Sequence, residues 1–599
     1  MTKRLSESAL PVSACPSADQ VRAQVDKILA SPLFTRSERL RRFLRFCVEL
    51  TLTEKSDQLK EQLVGSEVFD RKGDYDPRTD PIVRVEARRL RTKLKSYYNS
   101  LGRPDCVLID LPKGAYVPAF RLRGVSPVAP VRRTPAATAA AEPSIAVLPF
   151  ANLTPDAGAD YFSDGLTEEL IYLLTRIPGL RVVAWTSMSQ LRGRDQDLAG
   201  IRRDLKVATV LRGSVRRTDA RVRVTAQLID TESGNYLWSE AYDRQAENVV
   251  GIQEEMARSI VDTLQLTLAW RGPGVARKAT DLKCYNLCLQ GRFHANKRTR
   301  EGLRQSVLCY EQAIAADASS ADAYAGLACS YSLMADYGVG DPRDVVPKAR
   351  AASDKALELD PQSADAHISR AFILSTYDWD WSAAGASYRA AISLNPGHSR
   401  ARNWYATDYL CLVGRFDDAV KEAQMALHLD PLSPITLEGC GFVHMMRRDF
   451  ETALKIFRQL TDLDPVFWKA YSGMGRVLSL LGRYDESIAC LERARALAGD
   501  VPNVLAATGQ VLAKAGFTWE ARALVDQLLE MRKAQWVPSS CLAIVHLGLG
   551  EYPAALNYLE DACEKREQAV SCMKVHALYD PLRSQPRFQR MLERIGFLP

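Results

Sequence analysis

No stretch of this chain approaches the roughly 18 to 20 consecutive apolar residues that a membrane-crossing helix needs. Its opening, MTKRLSESALPVSACPSADQ, holds no apolar core of a secretory signal. Neither secretion nor anchoring is supported, and the expected location is the cytoplasm. Paired cysteine spacing is missing too: thirteen cysteines run from Cys15 to Cys572 without a CxxC pair, as reduced core residues would. Cys284 and Cys288, one helical turn apart, read as repeat-helix core rather than as metal ligands. Histidine is scarce, seven in all and none before His294, so the first half of the chain has no histidine base and no His-metal site. GxxxxGK[ST], HExxH, GxSxG and DFG are absent. Glu168 and Glu169 are adjacent on a helix and point in different directions, so they are not an acid/base pair. Asp378 and Asp380, on either side of Trp379, read as a turn. No catalytic residue, metal or cofactor is expected, and the chain reads as non-enzymatic.

What is present is length and a localised charge. At 599 residues and 66.6 kDa the chain is too long for one core and suggests three or four domains. Apolar residues at 47% and charged residues at 25% are ordinary for globular proteins, which argues against global disorder. Residues Ser17 to Arg123 carry 22 Lys and Arg against 15 Asp and Glu. That excess equals the net charge of +7 for the whole chain, so the basic character sits in one region.

The stretch TDPIVRVEARRLRTKLKSYY, Thr79 to Tyr98, predicts a helix from Pro81, with Asp80 as cap. At the helical period Val83, Ala87, Leu90, Leu94 and Tyr97 form an apolar stripe, and Arg84, Arg88, Arg91 and Lys95 form a basic one. A solvated face is the ordinary reading of such a row. Within the stretch itself the only acids are Glu86 and the capping Asp80, with Glu61 a helix earlier. Three helices are expected before it, from Ser17, from near Ser37, and over Gln58 to Val64 between a cap at Asp57 and a stop at Gly65. CVLIDLPKGAYVPAF, Cys106 to Phe120, reads as two strands around a tight turn at Pro112-Lys113-Gly114.

These residues, QLKEQLVGSEVFDR through IVRVEARRLRTKLKSYY to LPKGAYVP, resemble the winged helix-turn-helix of OmpR/PhoB-type transcription regulators. The matching signals are Leu90, Arg91, Lys93 and Leu94 in the basic helix and Gly114 and Tyr116 in the wing. The resemblance implies a positioning helix at Gln58 to Val64, a recognition helix at Pro81 to Tyr98 and a wing tip at Lys113-Gly114. A loop carrying Asp70, Asp74 and Asp76 is more acidic than the resemblance leads one to expect.

GVSPVAPVRRTPAATAAAEP, residues 124–143, is a Pro/Ala-rich linker. From Ser144 to about Trp270 the order of apolar segments is β-α-β-α-β-β-β-α, which predicts an α/β layer structure with a mixed sheet. Turns are expected at Thr218-Asp219-Ala220 and Ser233-Gly234-Asn235, and a closing helix over Val249 to Leu268. AVLPFANLT, YFSDGLTEEL, VLRGSV and AQLIDTESGNYLWSEAYDR resemble the TolB N-terminal-like domain, related to FlgO- and CsgG-type modules, which implies a fold and partner contacts rather than a reaction.

Beyond Lys283 the sequence repeats. Asp360-Pro361, Asn395-Pro396, Asp430-Pro431 and Asp464-Pro465 recur every 34 or 35 residues, as does a small-residue column through Ala371, Ala406, Gly441, Gly475, Gly509 and Ala543. Gly414, Gly482, Gly516 and Gly550 mark turns in the same register. A small residue once per unit lets two helices approach, and proline stops the second helix before the next unit begins. This resembles the tetratricopeptide pattern, about eight units over 283–570, with His444 a departure from it and an insertion near Tyr337 to Pro342. The tail, 571–599, is expected to cap the array.

The expected fold class is therefore multidomain α+β. After a leader at 1–16 come a winged helix-turn-helix (17–123), the linker, a TolB-like α/β mixed-sheet domain (144–270) and a C-terminal all-α tetratricopeptide solenoid with its cap. The expected function is a cytoplasmic DNA-binding transcription regulator whose array receives a protein or peptide signal on its concave face. Arg84, Arg88, Arg91, Lys95 and Lys113 are the candidate contacts to double-stranded DNA. The alternative is a non-enzymatic protein-interaction scaffold whose basic N-terminal domain does not bind DNA.

Overall fold

The computed structural model describes residues 16–35, 37–53, 55, 59–70, 82–99, 101–102, 104–112, 116–122, 143–154, 160–177, 179–193, 197–218, 221–245, 252, 255–256, 259 and 281–597. The chain divides into two compact units, Met1–Thr138 and Ala139–Pro599.

The first unit has four helices, α1 (Ala18–Ala30), α2 (Glu38–Leu52), α3 (Glu61–Phe69) and α4 (Ile82–Asn99), then an antiparallel pair, β1 (Val107–Asp110) and β2 (Ala119–Leu122). Ser17 and Gln20 close α1 with a reciprocal capping box at 2.9 and 3.3 Å. Two expectations fail here. α3 does not stop at Gly65, which is buried inside it, but runs to Phe69 and ends at Asp70, whose φ of 56° turns the chain out of the helix. The strands are not joined by a tight turn: Asp110 pairs with Ala119, leaving 111–118 as the connection. The Asp57 and Asp80-Pro81 caps, the tip at Lys113-Gly114 and most of the acidic loop lie outside the described residues.

Val83, Ala87, Leu90, Leu94 and Tyr97 are all buried, packed with Phe43, Leu44, Val64 and Ile109 in one core. Phe43 meets the Phe69 ring edge-on at 5.4 Å, and Tyr116 lies 6.3 Å from it. The core holds a polar knot. The buried carboxylate of Asp105 accepts from Gln24 Nε2 (2.6 Å), Lys27 Nζ (2.5 Å) and Tyr97 Oη (2.8 Å), tying α1 and α4 to the segment that enters β1. Burial alone would raise this carboxyl, but the hydrogen bonds and the Lys27 charge outweigh it and hold it below the usual range. A depressed carboxyl contributes stability above its unfolded pKa of about 3.9 and loses it as pH falls through the folded value. Thermal melts of the first unit's transition are expected to move down below about pH 4. In Asp105→Asn that acid sensitivity is expected to shrink, with about 1–2 kcal/mol lost at neutral pH; identical acid profiles for the two proteins would refute the assignment.

The second unit opens with the sheet. β3 (Ser144–Val147), β4 (Ala151–Asn152), β5 (Arg181–Val182), β6 (Thr209–Arg217), β7 (Arg221–Asp230) and β8 (Tyr236–Gln245) form a mixed sheet in the order β5-β3-β6-β7-β8, with β4 beside β6. The β3, β5 and β6 pairings are parallel and those of β7 and β8 antiparallel. The first predicted strand, Ser144 to Phe150, is a strand only over β3, with β4 beginning after it at Ala151, and the second ends early because Trp185 begins a short helix. α5 (Asp160–Thr175), α6 (Trp185–Ser189) and α7 (Leu198–Leu205) complete the described module. Gly234 takes φ 69° in the β7–β8 turn. The Thr218-Asp219-Ala220 turn and most of the expected closing helix lie outside the described residues.

Eight helical pairs follow among the described residues, from Leu282–Asn296 with Arg300–Ala316 to Ser539–Gly548 with Tyr552–Glu564. Their logic is local and repeated. Between the two helices of each pair one residue takes positive φ, at Arg298, Gly338, Trp379, Gly414, Arg448, Gly482, Gly516 and Gly550. Between pairs, Ser320, Ser363, His398 and Ser433 cap the next helix through the backbone N–H three residues on. Phe457 shows what the small-residue column does: ideal Cβ atoms on Gly441 and Gly473 would lie 2.7 and 2.5 Å from its ring, so the two bare backbones clasp it. His444 bonds Asp449, which caps the next helix, at 3.0 Å, and His546 bonds Glu551, the residue at the same position of the last pair, at 2.6 Å.

The tail does more than cover the last pair. Trp381 donates through Nε1 to Ile595 O at 2.7 Å and stacks on Phe597 at 4.5 Å, Arg566 donates to Tyr377 O at 2.7 Å, and Arg448 pairs with Asp580 at 2.7 Å. The end of the array is thus fastened along the middle pairs.

Candidate functional site

On α4 the structure separates the four predicted cations by role. Arg88 is exposed and has no ion pair among the described residues. Arg84 reaches Glu61 of α3 at 3.0 Å while keeping 58% of its side-chain surface exposed. Arg91 is half-buried and donates to Leu111 O (2.9 Å) and Pro112 O (3.0 Å), bracing the connection between β1 and β2 against the helix. Lys113 and the side chain of Lys95 lie outside what is described. The row is therefore not four free cations: among the described residues one has no ion pair, one is shared with a carboxylate, and one supports the hairpin. Lys93 is turned inward onto Leu33 O (2.7 Å) and Ser37 Oγ (2.5 Å).

The exposed face of α4 also holds residues that the charge pattern missed. Val85 is 44% exposed, and Arg89 and Thr92 lie on the solvent side, Arg89 bonded to Glu86 at 2.7 Å. Val85, Arg88 or Arg89, and Thr92 follow one another at helical spacing. An apolar residue left outside an otherwise well-packed helix was the available signal.

In the second unit, α5 lies against the array. Gly165 brings α5 so close to the first repeat helix that a Cβ there would lie 2.8 Å from Leu289. Glu169, buried, pairs with Arg292 at 2.9 Å, and Glu168 accepts from Asn296 at 3.2 Å. Burial pushes the Glu168 carboxyl up to about 6. Further along, two turn residues reach beyond their own turns. Asp360 and Asp464 accept from their own turns, at Gln362 N and Val466 N, whereas Asn395 donates to Thr175 Oγ1 (3.1 Å) and Asp430 accepts from Ser187 N (2.9 Å) and Ser187 Oγ (2.6 Å). The Ala184 N–H donates to Leu429 O at 2.9 Å. The array thus holds the α/β module on the turns between its repeats.

Among the described residues no group of three or more His, Cys, Asp or Glu could hold a metal ion, and no helix is long and apolar enough to cross a membrane. Asp378 closes a π-helical segment, Leu374–Asp378, and accepts from Arg350 at 2.7 Å, so only Asp380, which caps the next helix, lies in the turn.

Family models described as tetratricopeptide repeat match residues 444–511 and 540–576. The C-terminal region carries tetratricopeptide repeats. Such repeats mediate protein–protein interaction through the surfaces their stacking creates. Among curated relatives, "Putative adenylate cyclase 3" of Rhizobium meliloti (strain 1021) is 33% identical over 240 residues, 39% of this chain and 40% of that protein. "Transcriptional regulator HilA" of Salmonella typhimurium is 25% identical over 143 residues, 24% of this chain and 26% of that protein. The chain therefore spans well under half the length of either relative. Two solved structures match parts of the chain at low overall similarity. One is Pseudomonas aeruginosa pilF, with 21% identity, 40% of this chain and 98% of that one covered, and a TM-score of 0.29. The other is a tetratricopeptide repeat protein from Parabacteroides merdae, with 14% identity, 45% and 100% covered, and a TM-score of 0.33.

Proposed function

We propose that the chain is a non-enzymatic, cytoplasmic DNA-binding transcription regulator, its first unit a winged helix that lays α4 in the major groove and its tetratricopeptide array the receiver of a protein or peptide signal. The observation that carries this reading is α4 itself. One face is fully buried, and the opposite face offers Val85, Arg88, Arg89 and Thr92 to solvent, beside a hairpin braced by Arg91. An arginine and an apolar or threonine methyl on one exposed helix face suit guanine edges and thymine methyls. Arg84, Lys95 and Lys113 would contact backbone phosphate, and Arg91 acts by holding the hairpin in place. The regulator named among the relatives supports the reading, and the α/β module fits a TolB-like role in partner contact, docked as it is on the array.

The Arg84–Glu61 pair favours the second reading, a scaffold whose first unit does not bind DNA, because it removes part of the charge that phosphate would meet. Binding of the full-length chain to promoter duplexes across a salt series separates the two. Arg88→Ala is expected to weaken binding about tenfold and to lower the salt slope by about one. Lys455→Ala, on an exposed face of the array, is expected to leave both within error. Weak binding that is indifferent to sequence and to Arg88 would leave only the scaffold.

A further inference from the structure

The insertion at Tyr337 to Pro342, unexplained by the repeat pattern, faces the linker between the seventh and eighth pairs. Between them lies a cavity of about 600 Å³, walled by residues 338–341 and 534–537 with Arg300, Arg343, Arg532, Lys533, Lys565 and Trp536. The array curls until its first two pairs meet its last two, and this cavity is their seam.

We propose that the seam binds a small, multiply charged anion bearing phosphate or carboxylate groups. Its cations are arranged rather than scattered. Arg343 is held by Asp341 at 2.6 Å, with its guanidinium 5.3 Å from the centre of the Trp536 ring. Arg532 and Lys565 converge on Asp561, and both donate to Ser539 Oγ, at 2.8 and 3.4 Å. Lys533 pairs with Glu530 on its own exposed helix face, and Arg300 is exposed with no ion pair among the described residues. Five cations thus meet three directly paired carboxylates, with Asp344 also near Arg343, and the remaining one-charge surplus borders the opening. The volume lies in the range of small-ligand pockets and exceeds what one monovalent ion fills. Charges contributed from opposite sides of a seam select a ligand with several anionic groups, since one such ligand bridges Arg300 on the first pair and Lys533 on the seventh. Such a ligand would fasten the two turns together, independently of any peptide on the concave face.

Calorimetric titration of the full-length protein with sodium tripolyphosphate and, separately, citrate tests this, together with hydrogen exchange. One saturable equivalent is expected with at least one of the two, the tighter identifying the phosphate or the carboxylate class, with exchange slowed in 337–343 and 532–537. Arg300→Glu and Lys533→Glu, both at exposed positions, are each expected to weaken binding at least tenfold. Lys455→Glu, elsewhere on the array, and Arg88→Glu, on α4, are expected to change it less than twofold. The proposal is overturned if neither anion saturates, if Lys455→Glu or Arg88→Glu weakens binding as much as the seam variants, or if slowed exchange maps outside the seam.

Discussion

Phe457→Ala is expected to destabilise the repeat array by about 3–5 kcal/mol, the range for removing a fully buried phenylalanine. The phenyl ring is 1% exposed and touches backbone on two sides, at Gly441 of its own pair and Gly473 of the next. Those glycines have no side chain that could swing into the void, so collapse requires whole helices to move and most of the cavity persists. Phe457→Leu, which keeps much of the volume, is expected to lose less than half as much. The complementary change, Gly473→Ala, is expected to cost about 1–3 kcal/mol, because its methyl enters space the ring occupies. Urea denaturation followed by hydrogen exchange across 434–480 reads the loss where it arises, which matters in a chain whose units need not unfold together. A loss below about 1 kcal/mol for the alanine variant, outside the range for a buried phenylalanine, would show that the clasp does not hold the pairs.

Asp430→Ala is expected to open the junction between the α/β module and the array, at a cost of about 3 kcal/mol. Its carboxylate is 2% exposed and satisfies both the backbone N–H and the hydroxyl of Ser187, so truncation strands two buried donors. Asp430→Asn is expected to remain within about 1 kcal/mol of the parent, since an amide oxygen accepts the same bonds. Burial pushes this carboxyl up to about 6 despite the donors around it. The sign follows: a raised carboxyl favours the folded state more as pH falls, so the junction is expected to tighten between about pH 6 and pH 4, and Asp430→Asn, which cannot titrate there, is expected to abolish that slope. Hydrogen exchange at 184–189 and 429–433 measures both effects. Equal exchange in the alanine variant and the parent would mean that Asp430 serves only its own turn.

How much of this was legible in the sequence differs by element. The apolar stripe of α4 was readable because Val83, Ala87, Leu90, Leu94 and Tyr97 obey one period and all are buried. The basic stripe was readable as a row of charges but not as a set of roles. Arg84 and Arg91 find partners 23 and 20 residues away, on α3 and on the chain leaving β1. Among the turns between paired helices, the glycines at 414, 482, 516 and 550 stood out, while Arg298, Trp379 and Arg448 take the same positive φ without announcing it. Their positions in the register were the only signal.

The sequence by itself determined what repeats and what is periodic: the helical pairs with their glycine turns, the mixed α/β module, and the buried face of the basic helix. Each depends on residues within one helical turn or one repeat length, where spacing alone decides which side chains meet. Only the tertiary structure decided that α5 buries Glu169 and Thr175 on the array, that Asn395 and Asp430 reach beyond their own turns to dock the module, and that the tail returns to Trp381. Those contacts join residues more than 120 positions apart, and periodicity says which face is apolar without saying what covers the other.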